Sequence, residues 1–90
     1  MSYYYETERP KIFTEEGVEM LNAIRTTAEA CIKQSGAVRF DKAVNNVSGD
    51  TWLMLACLDY LCEIGILVLV SDRATTVAQH QVYTSRRPHD

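Results

Sequence analysis

The most constraining stretch of this chain is Leu58-Asp59-Tyr60-Leu61-Cys62-Glu63-Ile64-Gly65-Ile66-Leu67. Leu58 and Leu61, three residues apart, share one face of a helix, and Gly65 permits the left-handed turn that ends it. The run Ile66-Leu67-Val68-Leu69-Val70 then reads as a strand buried on both faces, because it carries no polar alternation. A helix over 51–64 must therefore stop at a glycine and pass the chain to a strand.

The rest of the chain arranges itself around that junction. Thr14 is a good N-cap, with Phe13 before it and Glu15, Glu16 and Glu19 after it at the positive end of the helix dipole. Val18, Leu21, Ile24, Ala28, Cys31 and Ile32 recur at three- and four-residue steps, so a helix is expected to Gln34 with Gly36 as its stop. Ala37-Val38-Arg39-Phe40 is a short β-capable piece. Asp41 can cap a brief helix over 42–47, with Phe40, Ala43, Val44 and Val47 facing inward. Asn45-Asn46 and Ser48-Gly49-Asp50 supply the turn after it. A returning strand is expected over 77–85, before Arg86-Arg87-Pro88. Residues 1–12, broken by Pro10 and without a period, read as an irregular arm, and 87–90 as a tail. Tyr3, Tyr4 and Tyr5 in that arm are candidates to pack on a neighbouring subunit.

The expected fold is thus α+β, in the order helix, strand, helix, helix, strand, strand, over residues 13–86. This order, with the L-x-x-L-x-x-x-G-hydrophobic helix end at Leu58–Ile66, resembles the winged helix-turn-helix superfamily. The resemblance implies three helices with a C-terminal β-hairpin wing, and says little of function. Within that superfamily, the stretch from Phe40 to Leu67 is loosely similar to small middle components of ABC-type three-component bacterial defence systems, which share an L-D-x-L-x-x-x-G helix end. That similarity implies a bridge between an ATPase and an effector.

Winged helices that read DNA insert the third helix into the major groove with polar and basic residues outward. On a wheel of about 100° per residue, Thr51, Met54, Cys57, Leu58, Leu61 and Cys62 face the core here. Trp52, Leu53, Ala56, Asp59, Tyr60 and Glu63 face outward. No Lys or Arg occurs from Ala43 to Asp72, so Asp59 and Glu63 would meet phosphates uncompensated. The net charge of -3 has the wrong sign for nonspecific phosphate attraction. Two explanations of Trp52, Leu53, Ala56 and Tyr60 stay open: the arm or the wing folds over them, or they bind a protein partner or a second copy of the chain. DNA binding survives as an alternative through Arg73, Arg86 and Arg87 on the wing and tail.

Nothing in the sequence points to an enzyme. His80 and His89 have no nucleophile or paired carboxylate placed with them, and Gly17, Gly36, Gly49 and Gly65 punctuate helices without forming a phosphate loop. No cofactor is expected, and no metal-ligand spacing occurs. Cys31, Cys57 and Cys62 leave one over after any pairing and lie in apolar contexts, as expected of reduced thiols in a cytoplasmic protein. The apolar run Ile64 to Val70 is too short to span a bilayer, and no signal peptide is expected.

Overall fold

The computed structural model describes residues 3–71 and 80–85. The chain forms an α+β body with helices α1 (Tyr5–Glu8), α2 (Glu15–Ser35), α3 (Phe40–Ala43) and α4 (Thr51–Glu63). A 3-10 helix (Arg9–Phe13) separates α1 from α2, and strands β1 (Val38–Arg39), β2 (Leu67–Leu69) and β3 (Val82–Ser85) make one antiparallel sheet. The layout is compatible with a winged helix.

The two long helices stop and start where their end chemistry dictates. The Thr14 hydroxyl accepts from the Gly17 N–H at 3.0 Å and donates to the Lys11 carbonyl at 2.8 Å, fixing the entry to α2. Gly36, at φ 86°, closes α2 with its N–H on the Ile32 carbonyl at 2.7 Å. At the start of α4, the Asp50 carboxylate accepts from the Trp52 N–H at 2.9 Å. At its end, Gly65 (φ 85°) donates to the Cys62 carbonyl at 3.1 Å and Ile66 donates to the Leu61 carbonyl at 2.9 Å. That pair of bonds is a Schellman motif, the turn expected of Gly65.

Packing departs from the expected stripes on α2 and β2, and on α4 Thr51, expected to face the core, is exposed. On α2 the buried line is Gly17, Met20, Ile24 and Ala28; Leu21, Cys31 and Ile32 are half-buried and Val18 is 42% exposed. Ile24 and Ala28 are buried as expected, and the shift is confined to the N-terminal turns, where the 3-10 helix packs closely on Gly17. The strand expected to be covered on both faces is covered on one. Among the described residues, Leu67 is buried, whereas Val68 and Val70 are 37% and 57% exposed.

The sheet order is β1-β3-β2, so the last strand lies between the other two. Tyr83 pairs with Val38 on one side and Leu69 on the other, and its side chain is 1% exposed. The Phe40 N–H donates to the Gln81 carbonyl at 2.8 Å, linking β3 to α3. Helix α3 begins and ends earlier than its expected 42–47 span. Asp41 does not cap it: the N-cap position is Arg39, without a side-chain capping bond, and the Asp41 carboxylate instead takes the Arg39 guanidinium at 2.9 and 3.0 Å. Residues 77–79 of the expected returning strand lie outside the described residues.

The N-terminal segment is the largest departure. It is structured from Tyr5 onward and belongs to the same core, with Ile12 fully buried. Pro10 fits because it occupies the opening of a 3-10 helix, where its missing N–H leaves no bond unmade.

Candidate functional site

Helix α4 is apolar on nearly all sides, and two different partners cover it. Its Met54, Cys57, Leu58 and Leu61 meet the body of the fold, where α4 packs along α2. Its other side meets the N-terminal segment, through contacts from both α1 and the 3-10 helix. Leu53 is accordingly 7% exposed and Ala56 fully buried, so neither is the open interface residue that the helical wheel suggests. A wheel places residues relative to their own helix axis; it carries no information about a distant segment folding back. Trp52 and Tyr60 are half-buried, as are Tyr3 and Tyr5, while Tyr4 is 63% exposed.

The two acids of this face hold the covering segment. The Tyr3 hydroxyl donates to Asp59 Oδ2 at 2.6 Å. Glu63 takes the Arg9 guanidinium through both oxygens, Nε and Nη2 each at 3.0 Å, and also accepts from the Tyr5 hydroxyl. Such a bidentate fork is the strongest form of an arginine–carboxylate contact. The Arg9 bonds first, and the Tyr5 bond second, hold the Glu63 carboxyl below its ordinary range. Burial, followed by the hydrogen bond to Glu63, pushes the Tyr5 phenol well above its usual value. Both groups keep the protonation state that the clamp needs.

Arg9 also lies over two rings, 5.3 Å from the centre of Phe13 and 5.4 Å from that of Tyr60. The rings meet edge to face at 5.4 Å and 89°. Phe13 remains 53% exposed, so this stack is presented at the surface. Beneath it the segment is fixed by Ile12, by Glu8, which is buried with Lys11 Nζ at 3.0 Å, and by Gly17. A methyl group at Gly17 would sit 2.2 Å from the Lys11 carbonyl oxygen and 2.6 Å from that of Ile12. Only glycine lets the 3-10 helix approach α2 this closely.

The sequence reading missed Arg9, Phe13 and Gly17. One signal was present: Asp59 and Glu63 sit four apart on α4 with no base on the same helix, so their partners had to come from elsewhere. Arg73, Arg86 and Arg87 lie outside the described residues. His80 is exposed, and burial pushes the Cys57 thiol up to about 12, which removes it as a nucleophile. Among the described residues, no group of three His, Cys, Asp or Glu could hold a metal ion, and no helix is long and apolar enough to cross a membrane. No family model, curated protein or solved structure matches this chain, so its function has to be read from its own residues.

Proposed function

We propose that this chain is a small winged-helix adaptor that binds a protein partner, or a second copy of itself, through the face built jointly by α4 and the N-terminal segment. The observation that carries this reading is the surface stack of Arg9, Phe13 and Tyr60, with Tyr4 and Trp52 as further aromatic residues on these two elements. Arginine and aromatic side chains are the residue types that anchor protein interfaces, and a rigid, already ordered stack loses little entropy on binding. The interface residues expected from the sequence are thereby redistributed. Tyr3, Tyr5, Leu53 and Ala56 hold the face together, while Tyr4, Trp52 and Tyr60 join Arg9 and Phe13 toward the partner. The loose sequence resemblance of Phe40–Leu67 to middle components of ABC-type three-component defence systems agrees with a bridging role between an ATPase and an effector. The three free thiols suit a reducing compartment such as the cytoplasm.

DNA reading through α4 has little support, because its outer acids already hold the N-terminal segment and the helix offers no base. It would have to rest on Arg73, Arg86 and Arg87.

Affinity capture with the native chain, the Phe13→Ala/Tyr60→Ala double variant and Arg25→Ala as a surface control tests the adaptor reading. Loss of the same bound component by the double variant alone is expected, at a cost of roughly 2 kcal/mol or more for a hot-spot pair. Equal capture by all three folded proteins contradicts it.

A further inference from the structure

The charges around the composite face do not balance. Arg9 is taken up by Glu63 and Lys11 by Glu8, each pair at 3.0 Å. Among the described residues, Glu6, Glu15, Glu16 and Glu19 are exposed and have no ion-pair partner. Helix α4 adds Asp59 and Glu63 and no base. The described Lys and Arg residues without an ion pair, Lys33 and Lys42, lie away from these acids, on the last turn of α2 and on α3. Helix-end electrostatics explains part of this pattern, since Glu15 and Glu16 sit in the first turn of α2, where the dipole favours acids. The dipole's effect fades beyond that turn and accounts for neither Glu19 nor Glu6.

Two of these acids meet apolar side chains in a cleft. It has a volume of about 320 Å³, between the first turns of α2 and residues 47–48, and is lined by Glu16, Glu19, Met20, Val47 and Ser48. Met20 is 8% exposed and Val47 half-buried, so they make an apolar floor, while both carboxylates and Ser48 are exposed at the mouth.

Resting on the protein-binding reading above, we propose that the partner presents a basic segment to this face, and that one of its lysine or arginine side chains enters the cleft of Glu16, Glu19, Met20 and Val47. Such a side chain is an apolar stem with a cationic head. The stem lies on Val47 and on Met20, whose unbranched thioether adapts to what it meets. The head meets Glu16 and Glu19, which are three apart and so neighbours on the surface of α2. Glu6 and Glu15, on the same N-terminal stretch as Arg9 and Phe13, draw the rest of the segment toward the ring stack. An acidic segment or a nucleic acid adds like charge and is repelled.

Titration of tetraarginine into the isotope-labelled native chain, followed by NMR, tests the cleft. The amide signals of Gly17, Met20, Val47 and Ser48 should shift, and tetraglutamate should shift none of them. Glu16→Gln/Glu19→Gln should weaken tetraarginine binding at least about fivefold and lose the component that the native chain captures. Glu29→Gln/Asp41→Asn, which removes the same charge elsewhere, should change the binding less than about twofold. Equal weakening by the two pairs means that net charge alone attracts the peptide, and overturns the proposal. So does a native chain without shifts at the cleft, capture unchanged by Glu16→Gln/Glu19→Gln, or a labelled oligonucleotide that shifts these amides instead. All four substituted positions are exposed. Should a variant fail to fold, the shift map of the native chain decides. No tetraarginine shifts, together with loss of capture by Phe13→Ala/Tyr60→Ala, would sink this inference and leave the adaptor reading standing.

Discussion

At Gly17 one missing atom decides how the N-terminal segment docks. Gly→Ala inside a helix ordinarily stabilises by about 0.4–1 kcal/mol through the unfolded chain. Here the sign should reverse, because the added carbon meets backbone at 2.2 Å and backbone cannot rotate away. Gly17→Ala is expected to destabilise by roughly 1–3 kcal/mol, as overpacking does, and to loosen the 3-10 helix first. Denaturant unfolding gives the magnitude, and the exchange rate of the Ile12 region gives the place. Cys57 offers a second test at this scale. Burial raises its thiol from an ordinary 9.0 to about 12. A raised value in the folded state means that the neutral thiol stabilises below pH 9. That contribution should fall away as pH rises from about 9 to 12. An alkylating reagent at pH 8 should label Cys31 and Cys62, which are half-buried, well before Cys57. The helical wheel already places Cys57 on the core side of α4, whereas the close approach at Gly17 was not legible, because it reads as an ordinary first-turn residue.

Elements were legible where their ends carry their own chemistry. Thr14 and Gly36 bracket α2, and Gly65 ends α4, because a cap and a left-handed turn are local requirements. The docking of the N-terminal segment was not legible, since Tyr3, Tyr5 and Arg9 find their partners more than fifty positions away and no local pattern encodes that pairing. Strand β2 misled for a related reason: an unbroken apolar run says that a strand can be covered twice, while the number of helices decides whether it is. The Arg9–Glu63 clamp gives an element-scale prediction. Glu63 titrates lower in the folded chain than in the unfolded one, so its contribution is present above the ordinary carboxylate range and is lost as pH falls through its folded value. Acidification should therefore release Tyr5 before α2 and α4 unfold, seen as a shift of the Tyr5 ring signals in NMR. Glu63→Gln should remove that acid-dependent step.

On the scale of the whole molecule, the fold is one core sealed from two directions. Leu58 and Leu61 close it toward α2 and the sheet, while Ile12 closes it toward the N-terminal segment; all three are at most 1% exposed. Leu58→Ala should cost about 2–5 kcal/mol, measured by equilibrium unfolding, which is a large share of what a chain of this size can possess. The α+β class and the helix–strand order followed from the sequence, whereas the surface left for a partner depended on where the first thirteen residues go. The N-terminal segment covers one side of α4 and makes it the floor of a composite face. Two apolar surfaces then compete as the docking side: that face, with Arg9, Phe13 and Tyr60, and the outer side of the sheet, with Val68 and Val70. Hydrogen-exchange footprinting of the assembled complex against the chain alone distinguishes them most directly. Added protection over residues 3–13 and 52–63, with 67–70 unchanged, is the predicted result; protection confined to 67–70 and 82–85 would contradict it.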